Sequence, residues 1–139
     1  MQTVMTKHNF LDDVYQSLQF NEELAIDHTL YKLGTRLLEL MRDKSSFVIL
    51  VFGEAQRNPI MAEKLEALID GGVTALSDFL DQRAQNGEIK DLDHRSLARH
   101  FIGSLFMYFM TYGKSHSETD HKVYLNTTIQ ALYEGIKTT

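Results

Sequence analysis

Two residues in this chain stand at a spacing used for metal chemistry. Glu118 and His121 are three positions apart, which puts a carboxylate and an imidazole on one face of a helix, as in each half-site of the di-iron helical bundles. A complete centre needs a second such pair, and no other Glu-x-x-His occurs. The neighbours also give the pair a simpler role. Ser117-x-x-Asp120 and Ser115-x-x-Glu118 both have the form of capping boxes, so Glu118 is expected as first-turn charge favoured by a helix dipole. His28, His100 and His116 have no nucleophile beside them. The chain has no cysteine, which removes zinc–thiolate sites, iron–sulfur clusters and thiol nucleophiles and fits a reducing cytoplasm. No Gly-rich phosphate loop and no triad-like arrangement is present. Catalysis therefore has almost no support, and no cofactor or metal is expected.

Charge and length narrow the partners. Lys and Arg number 14 against 19 Asp and Glu, a formal net charge of -5, and no basic cluster exceeds a pair. A duplex-binding surface works by neutralising phosphates, so this chain is not expected to bind DNA by itself. The first ten residues, MQTVMTKHNF, lack the basic start and apolar core of a secretion signal, and a cytoplasmic location is expected. At 139 residues, one domain over 1–139 is expected, large enough to bury its core without disulfides.

The elements that must position these residues are all helical. Ile26, Leu30, Leu33, Leu37 and Leu40 recur at alternating steps of four and three, the mark of an amphipathic helix over Glu22 to Asp43, with Lys32, Arg36, Glu39 and Asp43 opposite. Phe47 to Phe52 is an unbroken apolar run that fits a buried strand or helix. No second strand candidate exists to satisfy its backbone, so a fully buried helix ending near Gln56 is expected. Asn58 caps and Pro59 opens a long helix to about Asn86, with Met61, Leu65, Leu68, Gly72, Leu76, Phe79 and Leu80 as its stripe; Gly71-Gly72 marks a bend or a close helix contact. Asn86-Gly87 closes it with a left-handed cap, Asp91 or Asp93 begins the next helix, and Ser117 or Thr119 begins the last. The fold class is thus all-α, an antiparallel bundle of about five to six helices.

The stretch GSLFMYFMTYGK, Gly103 to Lys114, carries no charge until its final residue. It is too short to cross a membrane, which takes about 20 apolar residues. Leu97, Phe101, Leu105, Tyr108 and Tyr112 form one stripe along this helix, and Ile102, Phe106, Phe109 and Gly113 form a second beside it. The final helix also has two stripes: Leu125, Ile129, Leu132 and Ile136, and the mostly small set Tyr124, Thr128, Ala131 and Gly135. One small fold packs one face of each helix, so the second faces predict a homodimer in which two such helix pairs complete a four-helix bundle.

The order of a short apolar helix, a long helix from Asn58-Pro59, the turn NGEIKDLD, the apolar helix LARHFIGSLFMYFMTYG and a closing helix ending ALYEGI resembles the C-terminal domain of TetR-type transcriptional regulators, over nearly all of residues 22 to 138. The resemblance implies a domain that binds a small effector between its helices and dimerises through its last two. Nothing in Met1 to Phe20 resembles that family's N-terminal helix-turn-helix domain, and FLDDVYQSLQF, residues 10 to 20, would stand in place of a connecting helix. DNA contact is then expected only through such an N-terminal domain. The implied pocket takes a small hydrophobic effector, with Tyr31, Phe52, Phe79, His100, Leu105, Tyr108 and Tyr112 as candidate lining residues and Phe47, Met41, Met107 and Met110 on the same inner face. Gly34 and Gly72 are expected to leave room for it. A purely structural dimerisation module and a metal-dependent helical enzyme are the alternatives.

Overall fold

A computed structural model describes residues 25–138 as five helices joined by short turns. They are α1 (Ile26–Asp43), α2 (Ser45–Ala55), α3 (Pro59–Gln85), α4 (His94–Tyr112) and α5 (Glu118–Ile136). The fragment at residues 10 to 20, proposed above as a connecting helix, lies outside the described residues.

Local chemistry sets each boundary. The Asn58 side chain accepts from the Ile60 and Met61 amides at 3.0 and 3.3 Å, satisfying two of the first-turn donors of α3, while Pro59 supplies a helical φ. Gly87, with φ 80°, ends that helix in a left-handed conformation. Asp93 accepts from the Ser96 amide at 3.1 Å to open α4, and this bond is the chief reason its carboxyl titrates below the ordinary range. Ser117 and Asp120 form a reciprocal capping box at the start of α5.

Packing follows the stripes for α1 and the second half of α3. Leu30, Leu33, Leu37 and Leu76 are fully enclosed, and α1 sits at the centre in contact with α4, α5 and the end of α2. The long helix runs unbroken through Gly71-Gly72. A β-carbon at Gly72 would lie 3.8 Å from Ile102 Cδ1 of α4, an ordinary van der Waals distance, so the contact there does not require glycine. Arg95 and Arg99 of α4 reach Asp70 of α3 at 4.0 and 3.9 Å, and Arg95 donates to Thr74 at 2.9 Å.

One expectation fails. The helix α2 is not fully buried: only Val51 is enclosed, while Leu50 is 60% and Ile49 43% exposed. The reason is the number of neighbours. α2 lies on α3, touches the end of α1 and meets α4 through the Phe52 ring, so a helix that is apolar all round still leaves Ile49 and Leu50 uncovered.

Candidate functional site

α4 and α5 are the helices that carry most of the residues expected at a pairing surface or an effector site. The two helices meet through aromatic rings: Tyr108 stacks on Tyr124 with centroids 4.1 Å apart, and the Tyr124 hydroxyl donates to the Ser104 carbonyl at 3.3 Å. Their turn is tied back by a hydrogen bond of 2.8 Å between the Tyr108 hydroxyl and His116 Nδ1, and His116 stacks on Tyr112 at 4.4 Å. His121 meets the Tyr108 ring edge-on at 5.4 Å. Burial holds the Tyr108 hydroxyl above its ordinary pKa, with the Asp120 charge acting in the same direction.

On α4 the faces are distributed differently from the stripes read in the sequence. Ile102 and Phe109 are enclosed within the chain's own core, and Phe106 packs on Phe52 of α2 with ring centroids 5.4 Å apart. That stripe faces α3 and α2. The surface of α4 left open lies about a quarter-turn away: Gly103, Met107 and Met110, with Met107 68% exposed. A β-carbon at Gly103 would meet nothing. Of the small stripe on α5, Ala131 and Gly135 are exposed and Tyr124 and Thr128 are half-buried. Gly113 is half-buried against the Phe109 ring.

The residues expected to line an effector pocket occupy several environments. Leu105 is fully buried in the core and Tyr108 nearly so. Tyr112 is exposed beside Tyr108, and His100 is exposed on α4. Phe79 is buried under the Arg83 guanidinium, 4.8 Å from the ring centroid, and Arg83 pairs with Glu88 at 3.0 Å. Tyr31 lines a groove of about 760 Å³ between α1 and α5 that none of the other six lines, with Tyr133, Ile129, His28 and Glu134 among its walls. The room expected at Gly34 is taken by Leu125, whose Cδ1 would lie 2.5 Å from a β-carbon there. Met41 belongs to the core; Met107 and Met110 do not.

A second, smaller cleft of about 280 Å³ opens further along the same two helices, lined by Thr35, Leu38, Glu39, Arg42, Glu118, His121, Lys122 and Leu125. Glu118 and His121 thus share a wall, but no group of three or more His, Cys, Asp or Glu able to hold a metal exists among the described residues. Burial lowers the pKa of His121, and the nearby Arg42 and His116 add to the effect.

Sequence reasoning missed one buried polar site. His94, at the first position of α4, is 3% exposed; its Nδ1 lies 2.5 Å from the Asp81 carboxylate of α3 and its Nε2 3.0 Å from the Lys90 carbonyl. Burial alone pulls its pKa down, but Asp81, the Lys90 carbonyl and the charge of Asp91 outweigh that and hold it above the ordinary value. No spacing rule links residues 81 and 94, so only the α3–α4 turn could have revealed the pair.

Comparison with known families returns a match over residues 28–123 to the model described as the AefR-like transcriptional repressor, C-terminal domain. No curated protein and no solved structure matches the chain.

Proposed function

Because the chain belongs to the family of AefR-like transcriptional repressor C-terminal domains, we propose that it is the regulatory part of a TetR-type repressor: it pairs with a second copy through α4 and α5 and answers a small hydrophobic effector. The effector's binding would change how an N-terminal helix-turn-helix domain, of the kind such regulators carry, engages DNA. Regulation rather than catalysis is the role, in the cytoplasm where the DNA lies. No helix among the described residues is long and apolar enough to cross a membrane.

The observation that supports pairing is the open surface of α4. Gly103, Met107 and Met110 form an uncharged exposed strip on a helix whose Phe101, Ile102, Leu105 and Phe109 are enclosed, and Ala131 and Gly135 of α5 are exposed on the following helix. Small residues let a second helix backbone approach, and each methionine removed from water contributes about 1.5–3 kcal/mol when fully buried. A two-fold axis repeats every contact, so the gain is doubled. Replacing Met107 or Ala131 by Glu places a charge in that contact twice over. The variants should sediment as folded monomers while the unmodified chain sediments as a dimer. A chain that remains monomeric at the highest concentrations reachable refutes the pairing.

A structural dimerisation module is the second reading, favoured by one observation: Phe101 and Leu105 are fully enclosed and Leu125 occupies the notch at Gly34, so this part of the interior is filled by the chain's own side chains. A thermal screen separates the two. A compound held at about a hundred times its Kd adds roughly 2.7 kcal/mol of stability, a shift of several degrees, whereas a pure dimerisation module shows none with any hydrophobic library.

A further inference from the structure

We propose that the small cleft between α1 and the start of α5 is a binding site for an organic monocarboxylate with a short apolar or aromatic body. The cleft is built from two facing stripes. Thr35, Leu38, Glu39 and Arg42 come from successive turns of α1, and Glu118, His121, Lys122 and Leu125 from the first two turns of α5. Leu38 and Leu125, both buried, make its apolar floor. Its volume of about 280 Å³ is at the lower edge of small-molecule sites, which run from roughly 300 to 1,000 Å³, so its guest is small.

Three nitrogen-bearing side chains set the charge of that guest. Arg42 and Lys122 line opposite walls, are exposed, and form no ion pair among the described residues. The acids of the same cleft are differently placed: Glu39 pairs with Arg36 at 3.6 Å, and Glu118 lies in the first turn of α5, where the helix dipole favours its charge. The third group is His121. Its Nε2 is shut off from solvent and has no hydrogen-bond partner among the described residues, an arrangement that costs a desolvated polar atom its bond. A small turn of the ring toward the cleft would let Nε2–H donate to a carboxylate oxygen, while the same anion lies between the Arg42 and Lys122 charges. Nearness of an anion also reverses the effect of Arg42 on His121, so binding draws a proton onto the ring. A neutral alcohol of the same length offers the floor its apolar body but none of these charge-assisted bonds.

The binding is read from the cleft alone; only its use as a signal rests on the regulatory reading above. The test follows the histidine ring resonances of the full chain by NMR, titrated with sodium octanoate and, separately, sodium benzoate at constant ionic strength, with 1-octanol as the neutral control. The expected result is a saturable shift of the His121 resonances with one or both carboxylates and a rise in the pH at which His121 titrates. 1-Octanol should leave it unmoved, and the Arg42→Gln/Lys122→Gln double variant, with unchanged circular dichroism, should bind at least tenfold more weakly. The proposal is overturned if neither carboxylate moves His121, if 1-octanol moves it equally, or if the double variant binds as well as the original. Sedimentation on the same samples keeps the outcomes apart: a dimer that ignores carboxylates refutes this site only, and a monomer that binds them refutes only the pairing.

Discussion

Leu125 reaches into the notch left by Gly34, where a β-carbon would collide with its Cδ1, so this contact lets α5 lie close on α1. Leu125→Ala would leave a hole in a place where neither backbone can easily collapse, and should destabilise the fold by about 2–5 kcal/mol, measured by chemical denaturation. The buried His94 makes a different kind of prediction. Its pKa in the folded chain lies above 6.5, so its contribution is fully present below pH 6.5 and disappears as pH rises through the folded value. The denaturation midpoint should therefore fall as pH is raised above 6.5, and Asp81→Asn should flatten that fall. His121, whose folded pKa is lowered, acts on the other side of 6.5, where acidification favours the unfolded chain, so the two effects separate by pH window. At this scale the sequence was a partial guide. Tyr108 and Leu105 read correctly as inward, but Met107 and Met110 also read as inward because hydrophobicity alone does not say which apolar residues a neighbour covers. Nor did a glycine in a helix announce that a leucine from another helix would fill its place.

Helix ends were the most legible elements, because capping depends on residues within one turn. Asn58-Pro59, Asn86-Gly87, Asp93 and Ser117 all act where their types and spacing indicated. Ser117→Ala should cost roughly 1 kcal/mol, visible as a few degrees in the thermal midpoint, since it removes the acceptor for the Asp120 amide on an exposed surface where little else changes. What periodicity could not supply was the number of helices around each one. α2 is as apolar as a buried helix, yet it is a lid on α3 with Leu50 in the open. For α4, two apolar stripes were legible, but which side stayed open depended on the sides α3 and α2 already occupied, and the open strip lies beyond the second stripe, through Gly103.

Across the whole molecule, the end of α5 and the two residues after it, Lys137 and Thr138, are built into the fold. Lys90 N–H donates to the Ile136 carbonyl at 2.7 Å, the Thr138 hydroxyl donates to the Gly87 carbonyl at 2.9 Å, and Ile89 and Lys137 form an antiparallel bridge. Ile136 itself is buried. Ile136→Ala should cost about 2–5 kcal/mol and, in hydrogen exchange, release the Lys90 amide together with the α3–α4 turn rather than only the C-terminus. If Lys90 keeps its protection in that variant, the two segments are not coupled. No sequence pattern signalled this bridge, because it joins residues far apart through backbone groups that every residue carries.

That bridge has a mechanical meaning when set beside the Tyr108–His116 bond at the opposite end of the helix pair. At one end the Tyr108–His116 bond and the Tyr108–Tyr124 stack hold the C-terminal part of α4 against the turn and the start of α5, and at the other the α3–α4 turn pairs with the residue that follows α5. A guest wedged beside α1 at the His121 end would therefore press on a helix whose far end is already joined to the α3–α4 turn through Lys90 and Ile89, which gives the push a short route to that turn.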